Sequence, residues 1–282
     1  MITSAIEAIK SRTSVRSYQE RELETQALQA LRDMCKETKR GPFGNAVRFA
    51  LIALNEAEKS ELKQLGTYGM IKGASLFIAG AVAAAPGAME DLGCLMEDAI
   101  IRCTQLGLGT CWLGGSFNRA GFAKSIGLNG DEVLPCVTPV GYAADKRGLM
   151  DRMVRAMAGS KHRKPWGELF FENDFSHPLV EDQNQRQHEM LQCVRIAPSA
   201  SNKQPWRIIK DQQGALHFYI ARTKGYGRWI PGVDLQRIDI GIAISHLTLA
   251  AQELGAQGAW RQAQPAIDAG GREYITSWSA AG

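Results

Sequence analysis

The chain has 282 residues, 45% hydrophobic and 22% charged, with a formal net charge of +4. This is the composition of a globular protein with a sizeable core, in one large domain or two ordinary ones. So small and scattered a charge argues against a nucleic-acid partner, and the richest apolar stretch, residues 74–85, is too short to span a bilayer.

In chain order, Ser4 and Glu7 form a capping box ahead of a short helix ending near Lys10. Glu7, Lys10 and Arg12 also interrupt the apolar run that a signal peptide needs. A second helix is predicted over 24–38, with Leu28, Leu31 and Cys35 on one face. Residues 40–45 form a loop by composition, and 47–54 and 75–82 read as strands. A helix over 91–106, a glycine-rich turn, a short helix near 119–126 and a strand over 133–142 follow. Pro135 and Pro139 suggest an edge position or a bulge for that strand. Residues 145–159 read as a crossing linker. Beyond it come a helix around 183–195, a loop at 197–205, strands at 206–210 and 215–221, another helix and a final strand near 274–278. Without a regular βαβ rhythm, the order favours an α+β fold. The six cysteines form no C-x-x-C pair and read as reduced core thiols in a cytoplasmic protein rather than zinc ligands.

One pattern occurs twice, 148 positions apart. Asp91-x-Gly93 leads through a helix to Gly107 and Trp112, and Asp239-x-Gly241 leads to Gly255 and Trp260. Leu92, Leu95, Met96, Ala99, Cys103 and Leu106 match Ile240, Ala243, Ile244, Leu247, Ala251 and Leu254 one for one. The spacing buries one helical face each time, and so many matches at one offset point to a duplication. The expected halves are residues 1–150 and 160–282.

Three segments could carry chemistry. In residues 12–16, Arg12 and Arg16 flank Thr13, Ser14 and Val15, a compact anion site by donor type; read alone, such a run is more often a solvated turn. Residues 197–206 (A-P-S-A-S-N-K-Q-P-W) form a stiff polar loop rich in hydroxyls and amides. In residues 107–115 (G-L-G-T-C-W-L-G-G), Gly107 fits a helix C′ position, and Gly114-Gly115 would let backbone N–H groups approach a flat ligand or simply form a flexible turn. The glycine spacing does not fit a dinucleotide fingerprint. No P-loop, zinc-protease or nucleophile-elbow motif occurs, and the five histidines are spread singly, which suits structural roles.

Together these segments resemble the FMN-dependent nitroreductase family, with its R-x-S-x-R strip, A-P-S-x-x-N-x-Q-P-W loop, G-L-G-T-C-W-x-G-G turn and a V-G-Y strand, here 140–142, followed by Lys146 and Arg147. The two-copy form is similar to the thermophile-type nitroreductase subgroup. The resemblance implies a nitroreductase-like α+β fold duplicated within one chain to mimic the family homodimer. It implies FMN, held at the phosphate by Arg12, Thr13 and Ser14 with Lys146 or Arg147. Arg16 would sit by the N1/O2 edge and Lys72 by the pyrimidine edge. The turn residues Trp112, Leu113, Gly114 and Gly115 would lie by N5, and Pro198, Ser199, Ala200, Ser201 and Asn202 would reach in from the other half. No side-chain catalyst is required, because the flavin carries hydride. NADH or NADPH would be the donor, and a nitroaromatic or quinone the acceptor. Other flavin chemistry, such as dehydrogenation or flavin breakdown, or flavin binding without turnover, remain the alternatives.

The departures from the family pattern are asymmetric. The first half keeps the strip and the turn, but its loop is reduced to Gly41-Pro42-Phe43-Gly44-Asn45. The second keeps the loop, but its strip has become Arg163-Lys164-Pro165-Trp166-Gly167, and its turn lacks the Gly-Gly pair. The expectation is one FMN per chain and a monomer, with no membrane or nucleic-acid partner.

Overall fold

The computed structural model describes residues 2–54, 71–115, 117–145, 162–182, 186–226, 230–263 and 265–280. The expected linker falls outside them from residue 146 onward, as do 183–185 of the helix expected at 183–195. The first half runs α1 (Ala5–Ser11), α2 (Thr25–Lys36), β1 (Lys39–Arg40), β2 (Ala46–Ala53), β3 (Leu76–Ala83), α3 (Ala88–Gln105), β4 (Gly109–Thr110), α4 (Arg119–Ser125) and β5 (Glu132–Gly141). The second runs α5 (Trp166–Leu169), β6 (Phe170–Glu172), α6 (Arg186–Arg195), a 3-10 turn (Ala200–Asn202), β7 (Trp206–Lys210), β8 (Leu216–Ile220), α7 (Leu235–Glu253), β9 (Gly258–Arg261) and β10 (Glu273–Ala280).

The two sheets have the orders β1-β2-β3-β5-β4 and β6-β7-β8-β10-β9, one plan used twice. They differ at one edge. β1 leaves its loop as a hairpin and pairs antiparallel with β2, whereas β6 precedes α6 and pairs parallel with β7. β5 is not the edge strand that its prolines suggested, since it lies between β3 and β4. A register shift between Gly80 and Val82 takes up Pro135 as a bulge, and β4 pairs only with Val140 and Gly141, so Pro139 lies beyond its end. All six cysteines are free thiols, and five are buried. Among the described residues no helix is long and apolar enough to cross a membrane.

Between the sheets lie α3 and α7, packed on each other, α3 against β2 and β3 and α7 against β7 and β8. Both are buried on most of their surface, α3 with Glu90, Asp91 and Glu97 inside and α7 with Asp239, Ser245 and His246. The repeated Asp-x-Gly explains how they meet. Gly93 rests on the backbone of Ile238, and Gly241 on the backbone of Glu90 and Cys94; a Cβ at either glycine would overlap main-chain atoms. A shift of 148 exchanges these two contacts, so the crossing has a pseudo-twofold axis. The aspartates anchor loops. Asp91 accepts from the N–H groups of Phe43 and Asn45, both at 2.8 Å, and Asp239 accepts from Ala200 N at 2.9 Å. Polar pairs across the crossing are exchanged by the same operation: His246 Nε2 lies 3.0 Å from Glu97 Oε1, and Ser245 Oγ donates to Asp98 Oδ1 at 2.6 Å. Arg237 of α7 bridges Glu90 and Glu273.

Asp239 is buried, its Oδ2 has no partner, and burial pushes its carboxyl up to about 8. Below the ordinary aspartate range the native and unfolded chains both hold this proton. As the pH rises to about 8 the unfolded chain releases it and the native chain does not, so stability falls. Asp239→Asn keeps the acceptor for Ala200 N and removes the titration. Its stability relative to the parent is expected to rise by up to about 1.4 kcal/mol per pH unit between pH 5 and 7.5. Urea unfolding at the two pH values measures this, and an equal difference at both would refute it.

Candidate active site at the junction of the halves

Each segment singled out in the sequence is held by a separate element. Arg12 closes α1, whose N-terminus is capped from the other half: Glu253 of α7 accepts from Ser4 Oγ and from the N–H groups of Ala5 and Ile6. Beyond Arg12 the chain is an extended ribbon. Val15 N donates to Thr110 O at 2.8 Å, Lys72 N to Arg16 O at 2.8 Å, and Tyr18 N to Lys72 O at 2.9 Å. Ser14 bridges to Thr110 and Ser17 to Lys72. The ribbon thereby draws Arg12, Thr13, Ser14 and Arg16 together with Lys72 and the start of the glycine turn. Thr13 and Lys72 are exposed, Ser14 and Arg16 half-buried.

In the turn, Leu113 is buried and exchanges both backbone bonds with Val137, each 3.0 Å. Trp112 donates its indole N–H to Glu97 Oε2 at 2.6 Å. Gly114 O accepts from Arg119 Nη2, and a Cβ on Gly114 would lie 2.9 Å from Leu235 of α7. Gly115 has nothing within 4 Å of where its Cβ would be. Gly107 has φ +76°, as a helix C′ glycine should.

The 197–206 loop carries three non-glycine residues in left-handed conformation: Ser201 (φ 46°), Asn202 (φ 54°) and Gln204 (φ 49°). Each costs about 1–2 kcal/mol, and such geometry persists only where the surroundings over-determine it. Here they do. Besides Asp239, Ser199 Oγ accepts from Gln204 N, and Gln204 Oε1 accepts from Lys164 N. Asn202 donates to His162 O at 2.7 Å and accepts from Arg163 Nη1 at 2.6 Å. Its amide thus ties the loop to His162 and Arg163. Ser201 Oγ accepts from Tyr226 Oη at 2.7 Å, and Pro198 and Ala200 are half-buried.

The turn of the first half and the loop of the second converge on α7. Gly114 abuts Leu235 and Ala200 is fixed by Asp239, positions one helical turn apart on the same face. Arg163 joins the other side. Burial, then the charges of Arg12 and Arg195, push its guanidinium down to about 10. Arg12 has a side chain only 8% exposed, its Nε lies 3.7 Å from Glu97 Oε1, and its Nη1 is buried without a partner. Such a donor fits an anionic group. In the other copy the matching ground on α3 is filled, since the Phe43 side chain lies over Gly87, the counterpart of Leu235.

Lys146 and Arg147 lie outside the described residues. Sequence reasoning missed Glu97, His246, Arg163, Gln204 and Tyr226. Gln204 carried a local signal as part of the A-P-S loop, and Arg163 as the arginine that opens the altered strip of the second half. A surface pocket lined by Trp166, Leu179, His188, Leu191 and Lys210 contains none of the expected site residues.

The family model described as "Putative TM nitroreductase" matches residues 4–251. A solved structure from Thermotoga maritima, described as a "putative nitroreductase", is similar in fold, with a TM-score of 0.59 at 17% identity over 99% of this chain and 94% of that one. A nitroreductase with bound FMN from Bacteroides fragilis matches with a TM-score of 0.40 at 17% identity, over 51% of this chain and 91% of that one. A nitroreductase family protein from Clostridium novyi matches with a TM-score of 0.43 at 17% identity, over 53% and 91%. No curated protein matches the chain.

Proposed function

Because the chain belongs to the TM-type nitroreductase family, we propose that it is an FMN-dependent NAD(P)H oxidoreductase of the nitroreductase or quinone-reductase type, with one flavin site formed between its halves. The observation that carries this reading is the convergence on α7: the glycine turn of residues 1–150 and the serine–asparagine loop of residues 160–282 meet one helical turn apart, and Glu97 holds to the same turn a buried guanidinium, Arg12, whose Nη1 has no partner. A homodimer would assemble its site from the same two parts.

FMN, when bound, supplies the two-electron hydride chemistry. The chain's own residues bind and orient it. Arg12 offers Nη1 to the phosphate, Thr13 and Ser14 add hydroxyl donors, and Lys146 or Arg147 completes the charge. Arg16 and Lys72, joined through their backbones, present cations to the pyrimidine side, where a positive charge favours the reduced ring. Trp112 and Leu113 fix the turn, so that Gly114 and Gly115 expose backbone to the ring. Pro198, Ser199, Ala200 and Ser201 form the opposing wall, with Asn202 holding its shape. A nitroaromatic or quinone would stack on the open face.

Phe43 over Gly87 supports a single site, and a chain that carries both parts completes the site as a monomer in the cytoplasm. Flavin per chain, read from absorbance after denaturation, is expected to be close to one; a ratio near two would refute the single site. Oxidation of NADH or NADPH with menadione or a nitrofuran tests the reaction. An FMN-loaded protein that turns over neither acceptor would instead favour flavin binding without turnover.

A further inference from the structure

Building on the flavin reading above, we infer that Glu97 is a positioning residue, a buried carboxylate that ties the arginine strip to the glycine turn and reaches, through His246, the helix that leads into the 197–206 loop. Its side chain is fully buried in α3. Oε2 takes the indole N–H of Trp112 at 2.6 Å, fixing the turn. Oε1 lies 3.7 Å from Arg12 Nε, fixing the arginine strip. Oε1 also lies 3.0 Å from His246 Nε2, and the other nitrogen of that ring lies 2.8 Å from Cys193 O, in the last turns of α6 just before the 197–206 loop. Strip, turn and the approach to the loop thus meet at one carboxyl group.

Both nitrogens of His246 face acceptors, so the ring spans from Glu97 to the last turns of α6. Arg12 meets Glu97 through Nε, which leaves Nη1, buried and without a partner, to meet an anion.

The duplication supplies an internal control. The pseudo-symmetric mate of Glu97–His246 is Ser245–Asp98 at 2.6 Å, on the same helix crossing. The counterpart of Trp112, Trp260, donates instead to Thr248 Oγ1 at 3.0 Å. A role confined to helix packing would treat the two pairs alike.

The test compares Glu97→Gln with Asp98→Asn in the full chain by two readouts. One is the Trp112 indole N–H resonance of flavin-free protein, assigned with Trp112→Phe. The other is the ratio of riboflavin to FMN dissociation constants, which isolates the phosphate contact. Glu97→Gln is expected to move the indole resonance and to lower the preference for FMN about tenfold or more, the loss of about one charge-assisted bond. Asp98→Asn should do neither. An unchanged preference in Glu97→Gln, or an equal fall in Asp98→Asn, overturns the inference. If Glu97→Gln does not fold, Glu97→Asp takes its place, with the carboxylate withdrawn by one methylene. If the parent protein holds no flavin, the cofactor reading falls, and the indole resonance alone decides for or against Glu97.

Discussion

Replacing Arg12 by alanine is expected to weaken FMN binding about a hundredfold while changing riboflavin affinity about threefold or less. The estimate follows from the bonds lost. A buried guanidinium with a free Nη1 can make at least one charge-assisted bond to a phosphate, worth about 1.5–3 kcal/mol, and tenfold in affinity corresponds to about 1.4 kcal/mol. Riboflavin lacks the phosphate and should be indifferent. Arg12→Lys keeps the charge but not the fork and should fall between the two. Titrations of both flavins into apoprotein, followed by flavin fluorescence, measure the effect. Equal weakening of both ligands would assign Arg12 to the fold rather than to the phosphate. The alanine variant also leaves Glu97 without its arginine partner, so some loss of stability should accompany the loss of affinity.

The largest effect on stability is expected at the helix crossing. Gly93→Ala puts a methyl group onto the carbonyl of Ile238, and Gly241→Ala puts one onto the carbonyl of Glu90 and the N–H of Cys94. Neither obstacle is the end of a flexible side chain, so relief requires α3 and α7 to move apart, and the core that spans both halves moves with them. Overpacking of this kind costs about 3 kcal/mol or more. For a chain of this size that lowers Tm by about 5 °C or more. Gly130→Ala, where nothing lies within 4 Å, is the control and should be nearly neutral. Calorimetry of the three variants decides the matter, and a mild Gly93→Ala would mean that the helices do not cross backbone to backbone. Because the two glycines exchange under the pseudo-twofold operation, their costs should be similar.

Much of this was legible in the sequence. Local period and turn chemistry located nearly every long element, because burial of one helical face and strand alternation are local signals. The repeat at 148 positions exposed the duplication and pointed to the central helices. What stayed hidden was long-range. The two-residue strands β1 and β4 owe their existence to their partners and have no propensity of their own. The prolines of β5 suggested an edge position or a bulge, because they lack a donor, and only the pairing of β5 with β3 and β4 decides for the bulge inside the sheet. At the site, the motif residues announced themselves by type and spacing. Glu97 and His246 did not, since a glutamate and a histidine inside helices carry no mark of a bond across 149 positions. The same holds for Asn202, whose amide looked available to a ligand and in fact braces the loop.

The inequality of the two polar pairs on the crossing has a consequence for partnership. If two copies of the first half met through the geometry that joins α3 to α7, Glu97 of each would face Asp98 of the other, carboxyl against carboxyl in a dry interface. Two copies of the second half would oppose His246 to Ser245 and leave each imidazole without its acid. At this crossing each half is therefore the better complement of the other than of a copy of itself, and the residues that make it so are buried on α3 and α7.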